Sequence, residues 1–137
     1  MNDANISSDP ELQELIERFP RLFRGTQPAV WSHVPTGWKG IVGTLFSSID
    51  AMLNDDEAKR FRVEQIKEKF GTLRLYLSFD RIDPAGMSPN PTALRELVDA
   101  AVAASEVTCY VCGAPGEMRK LGWATVRCDA HASRDLG

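Results

Sequence analysis

Cysteine is scarce in this sequence, three residues in 137, and histidine scarcer, with two. Three cysteines do not pair evenly, which speaks against a disulfide framework and for a reducing, cytoplasmic compartment. No apolar run approaches the ~20 residues a membrane-spanning helix needs. The amino terminus is acidic where a signal peptide would be basic and then apolar. No P-loop, G-x-G-x-x-G or H-E-x-x-H occurs, so the usual nucleotide and zinc-protease signatures are missing. Positive charge is not in excess: the formal net charge is −3. A broad interface with a phosphate backbone needs a concentrated basic footprint, and this balance argues against one. Neither internal repeats nor low-complexity tracts are visible.

What is present is concentrated in the last third. All three cysteines and one histidine fall in Cys109-x2-Cys112, a spacer of fifteen residues, then Cys128-x2-His131. That is the spacing of tetrahedral zinc sites, which draw two ligands from each of two short turns. Thiolate and imidazole suit Zn2+, a borderline-soft ion with no geometric preference of its own. One structural Zn2+ held by Cys109, Cys112, Cys128 and His131 is therefore expected. Catalytic zinc sites usually keep an open position, whereas four protein ligands close this shell. Glu117 and Asp129 are the nearest general-base candidates, and nothing in the sequence positions them. No catalytic residue is assigned, and a non-enzymatic protein without a small-molecule substrate is expected.

Between the ligand pairs, Glu117–Leu121 and Trp123–Arg127 read as short strands around Gly122, and Asp129–Asp135 as a short helical stretch. Knuckle, hairpin and ligand-bearing helix resemble a treble-clef zinc finger, with a zinc ribbon as the alternative. A module of some thirty residues has little core of its own, so metal binding is expected to fold it. The chain divides into residues 1–107, helices and a β-hairpin, and residues 108–137, the finger.

The first part reads as follows. Asp9-Pro10 places a cap and a first-turn proline, and Ser8 with Glu11 offers a capping box instead. Leu12, Leu15, Ile16 and Phe19 form one apolar helical stripe ending at Pro20. Glu11, Glu14 and Glu17 lie opposite, either a solvated face or an acidic docking edge. Gly25 to Gly37 is a loop by composition. Its Trp31 either plugs the core or anchors a partner, since Trp buries much area and is enriched at interface hot spots. His33 reads as a surface or capping residue. A second helix runs over Trp38, Ile41, Val42, Leu45, Ile49 and Met52 or Leu53, and Asn54–Glu57 makes an acidic turn. Phe61–Phe79 alternates as an antiparallel hairpin turning at Gly71. That region, Glu57 to Arg81, carries a local net of +3, either solvated surface or a weak nucleic-acid contact. After a Pro- and Gly-rich loop over 83–91, Asn90-Pro91 opens a third helix, with Leu94, Leu97, Val98, Ala101, Val102 and Ser105 as its stripe. The fold class expected is α+β: three helices on an antiparallel hairpin, with a carboxy-terminal treble-clef or ribbon-like finger.

Two motifs together carry a resemblance. Lys67-Glu68-Lys69-Phe70-Gly71-Thr72-Leu73-Arg74, followed by Cys109-x2-Cys112-Gly113-x2-Gly116, Gly122-Trp123 and Cys128-x2-His131, resembles a group of short bacterial and phage proteins. These share a K-E-K-F-G-x-L-R hairpin and a terminal zinc-binding segment. The resemblance spans roughly residues 60–131 and implies the four metal ligands. Small proteins of this build are similar to immunity proteins, which implies an antitoxin-type inhibitor that covers a toxin's active site. Its contacts would be acidic helix edges and aromatic anchors: Glu11, Glu14, Trp31 and Tyr110. A nucleic-acid-binding zinc-finger regulator is the alternative, although the finger's own charges net only +1. No membrane partner is expected.

Overall fold

The computed structural model describes residues 9–23, 32–80, 91–121 and 123–132. Helix α1 spans Pro10–Arg18, and the Leu12 N–H donates to the Asp9 carboxylate at 3.2 Å. Asp9 with Pro10 thus opens the helix as the sequence suggested; Ser8 lies outside the described residues. Leu12 and Leu15 are buried, Ile16 half-buried, and Phe19 closes the stripe just past the helix. A 3-10 turn, Pro20–Leu22, then carries Arg21 back across the end of the next helix. Its guanidinium donates to the Asp50 carboxylate at 2.7 Å and to the Leu53 carbonyl at 2.9 Å. Carbonyls at a helix end have no partner within the helix, and Arg21 supplies one.

Helix α2 covers Lys39–Met52 and follows a 3-10 turn, Thr36–Trp38. Trp38 therefore precedes the helix rather than opening its stripe. Val42, Leu45, Phe46 and Ile49 are buried along α2, and Phe46 meets the rings of Phe19 and Phe23 at 6.4 and 5.7 Å between centroids.

The expectation of three helices is corrected to four. Asn54–Glu57 is not a plain turn but the entry to helix α3, Asp55–Arg60. The Asn54 side chain accepts from the Glu57 N–H, and Glu57 accepts from the Asn54 N–H, both at 2.8 Å. This reciprocal capping box, with acids in the first turn and Lys59 and Arg60 in the last, suits the helix dipole at both ends.

Strands β1 (Phe61–Lys69) and β2 (Thr72–Phe79) form the expected antiparallel hairpin. Its register shifts between Val63 and Gln65. Glu64 is the extra residue, and such a bulge lets Phe61, Val63 and Ile66 all face inward despite uneven spacing. Its carboxylate accepts from the Ser78 hydroxyl. The turn uses Phe70 and Gly71, both at positive φ, +54° and +83°. Two consecutive left-handed residues match the twist of the flanking strands.

Each edge of the hairpin is tied to the rest of the fold at one residue. Ile66 on β1 bonds the Ser32 hydroxyl and the His33 N–H, while the Leu73 N–H on β2 donates to the Ser105 hydroxyl at 3.1 Å. Ser105 ends helix α4, Pro91–Ser105. Ala101 and Ser105 are its buried positions, and Leu94, Leu97 and Val98 pack half-buried on the core. Asn90 and the loop over 83–90 lie outside the described residues.

The last sheet pairs β3 (Glu117–Leu121) with β4 (Trp123–Arg127), antiparallel and in register from Glu117 opposite Arg127 to Leu121 opposite Trp123. Gly122 between them is outside the described residues. The architecture is therefore mixed: four α-helices and two small antiparallel sheets among the described residues. Among those residues, no helix is long and apolar enough to cross a membrane.

Candidate metal centre

Backbone bonds close the loop that carries the first ligand pair. The Cys109 N–H donates to the Ala114 carbonyl at 2.7 Å, and the Gly113 N–H donates back to the Cys109 carbonyl at 2.9 Å. This closes a knuckle around Cys109–Cys112, with Gly113 at φ +87°. The second pair lies on a 3-10 turn, Asp129–His131, entered from β4 through Cys128. The hairpin brings the two together, because the Tyr110 N–H donates to the Val126 carbonyl at 2.9 Å.

The donor atoms of Cys109, Cys112, Cys128 and His131 all lie within 4.8 Å of one another. Cys112 Sγ is 3.7 Å from Cys128 Sγ, and His131 Nδ1 is 3.3 Å from Cys128 Sγ and 3.7 Å from Cys109 Sγ. A disulfide would need sulfurs at about 2.05 Å; all three cysteines are free. Cys109 and Cys128 are buried, Cys112 is exposed and His131 is half-buried. Four donors converging from two turns are what a bound metal ion requires.

The site favours at least one thiolate. Burial pushes the Cys109 thiol up, but N–H groups of Cys128, Cys112 and Val111 and the His131 ring together bring it down to about 6. Cys112 moves the other way. The Ala114 N–H lowers it, but burial and the neighbouring thiols of Cys128 and Cys109 raise it by more.

Two features that sequence reasoning passed over hold this centre in place. The first is Gly37. Its N–H donates to the Tyr110 carbonyl at 2.9 Å. A Cβ there would sit 2.1 Å from the Cys109 carbonyl oxygen and 2.7 Å from the Gly113 nitrogen. Beside it, the Trp38 indole N–H donates to the Thr108 carbonyl at 2.8 Å. The knuckle is thus seated directly against the turn that leads into α2. The second is Arg127, which donates to the Tyr110 hydroxyl, the Thr125 hydroxyl and the His131 carbonyl, each at 3.1 Å. It braces one ligand pair against the other. In the sequence it looked like one more basic residue of the finger.

Comparison with family models, with curated proteins and with solved structures yields no match.

The remaining candidate residues are scattered. Tyr110 is half-buried, its ring 6.3 Å from Trp38 and under the Arg127 guanidinium at 5.3 Å. Glu11 accepts from the Thr36 hydroxyl at 3.0 Å. With Glu14 it lines a shallow cleft of about 150 Å³ that also contains Arg18 and Lys39, so this edge is of mixed charge. Trp31 lies outside the described residues. His33 sits at the surface with Nδ1 3.2 Å from the Asp9 carboxylate. Neither Glu117 nor Asp129 is aimed at the donor cluster by any bond: both carboxylates face the Arg119 guanidinium, at 3.4 and 2.9 Å.

Proposed function

We propose that the protein is a non-enzymatic, zinc-stapled protein-binding protein of the immunity or antitoxin kind, acting in the cytoplasm by covering a toxin's active site. The observation that carries this reading is the closed donor set, three sulfurs and one nitrogen seated on the helical body through Gly37 and Trp38. For sulfur at about 2.3 Å and nitrogen at about 2.0 Å from a tetrahedral zinc, S···S is ~3.8 Å and S···N ~3.5 Å. Three of the donor–donor separations, 3.3 to 3.7 Å, agree with that geometry, and all lie within 4.8 Å. Such an ion would fold the carboxy-terminal segment and fix its surface. Among the described residues, the two neighbouring acids, Glu117 and Asp129, face the Arg119 guanidinium rather than the donor cluster. The order of knuckle, hairpin and helical turn favours a treble clef over a two-knuckle ribbon.

The nucleic-acid alternative is weaker. Arg119 and Arg127, two of the finger's cations, are engaged by Asp129, Tyr110 and main-chain carbonyls. Metal analysis of the purified protein should give one zinc per chain. Co-purification with the product of the neighbouring gene, and rescue of its toxicity, test the inhibitor reading; failure of both removes it. Anisotropy with a labelled oligonucleotide at low salt tests the alternative, which needs salt-dependent binding.

A further inference from the structure

The tip of the β1–β2 hairpin places a bulky aromatic in a left-handed backbone conformation. Phe70 sits at φ +54°, where glycine, asparagine and aspartate are usual and a bulky side chain is an outlier. The residue is 65% exposed. The contact it makes is with a neighbour in sequence, the Lys69 ammonium 5.6 Å from the ring centre. The Glu68 carboxylate supports the turn by accepting from the Gly71 N–H at 2.7 Å, but neither that bond nor the turn type calls for an exposed aromatic ring, which points to a role outside the fold. Met118, also exposed, lies over Gly71 and continues the apolar surface from the hairpin on to the metal module.

The face next to this tip is basic. Register places Lys67 directly opposite Arg74, a like-charge pair that weakens a sheet, with exposed Tyr76 one step on along β2. Among the described residues, no ion pair joins Lys67, Lys69 or Arg74 to a carboxylate. Two acids lie nearby without pairing to these cations: Glu68 accepts from the Gly71 N–H, and Glu106 from the Thr72 hydroxyl, so three cations face two carboxylates.

We infer that this tip and outer face form the docking surface for an acidic segment of a partner protein, with Phe70 entering an apolar recess and Lys67, Lys69 and Arg74 meeting its carboxylates. The inference rests on the protein-binding reading and moves the contact from the acidic edge of α1 to the opposite charge. Three cations are a small footprint for a phosphate backbone, and the exposed Met118 beside Phe70 suits a protein surface better than stacked bases.

The test uses the full chain loaded with zinc, carrying a photo-reactive benzoylphenylalanine in place of Phe70 and expressed in its host. Irradiation should give a protein adduct whose contact peptide is rich in Asp and Glu. Arg74→Glu should cut the adduct at least tenfold. That change turns a repulsive cross-strand pair into an attractive one, so its melting temperature should not fall, and misfolding is separated from lost binding. The same photo-group in place of Glu14 should give no adduct with that partner. Adducts that persist in Arg74→Glu, that map to a non-acidic peptide, or that contain nucleic acid or a second copy of this chain would overturn the inference. If the wild-type chain captures a partner but position 70 gives no adduct, the inference falls and the binding reading stands. If no partner is captured by either route, both fall.

Discussion

Gly37→Ala should uncouple the metal module from the helical body. The added methyl would meet the Cys109 carbonyl oxygen at 2.1 Å, the Tyr110 carbonyl carbon at 2.6 Å and the Gly113 nitrogen at 2.7 Å. All three are backbone atoms of a closed knuckle, so no side chain can swing aside. Overpacking of this sort costs about 1–3 kcal/mol. Separation of the two surfaces instead breaks the bonds from Gly37 N–H to Tyr110 and from Trp38 to Thr108, at about 1 kcal/mol each. Clash and separation are alternative responses, so the loss is about 2–3 kcal/mol, or a fall in Tm of ~6–12 °C at this chain length. Zinc content should stay at one per chain, because every ligand lies beyond residue 108. Gly40→Ala is the matched control: nothing lies within 4 Å of its added Cβ, and replacing a helical glycine should stabilise by about 0.5–1 kcal/mol. Thermal melts followed by circular dichroism, with metal analysis of each variant, provide the measurement. A Gly37→Ala protein that melts within about 0.5 kcal/mol of the parent would refute the seating of the knuckle on the Thr36–Trp38 turn.

Cys112→Ser should abolish stoichiometric zinc and the exchange protection of β3–β4 amides, while the helical circular dichroism persists; unchanged protection would show that the metal does not fold the module. Ser105→Ala strands the buried Leu73 N–H and should destabilise by about 1–3 kcal/mol in chemical denaturation. Phe70→Asn removes an exposed ring and relieves a left-handed residue, so the hairpin should gain about 1 kcal/mol in the same assay; a loss would mean that the ring supports the fold. Acid should release zinc, because protons compete for the thiolates, and a chromophoric chelator will report it; release that is independent of pH would argue against cysteine ligation.

Much of the local structure could be read without coordinates, and the exceptions share a cause. Asp9-Pro10, the Leu12–Phe19 stripe and the alternation of β2 all work within a few residues, and each stands where the pattern put it. Asn54–Glu57 held an equally local signal, a capping box, but its string of acids read as a turn. The Glu64 bulge has no such signature. It follows from the need of Phe61, Val63 and Ile66 to reach one core. Arg127, in sequence one more basic residue of the finger, gained a role as a brace between ligand pairs through the Tyr110 hydroxyl and the His131 carbonyl.

The amino-acid order alone determined the donor set, since two C-x2 spacings fix which sulfurs and which imidazole sit on short turns, and turn geometry is local. It also determined helices α1, α2 and α4 and the hairpin, whose periodicities are properties of neighbouring residues. The folded chain alone decided where the centre sits, which cations remain exposed and why residue 37 has room for nothing larger than glycine. Those outcomes depend on contacts between segments some seventy residues apart, as in Trp38 to Thr108, and close packing between distant backbones leaves no periodic trace in sequence.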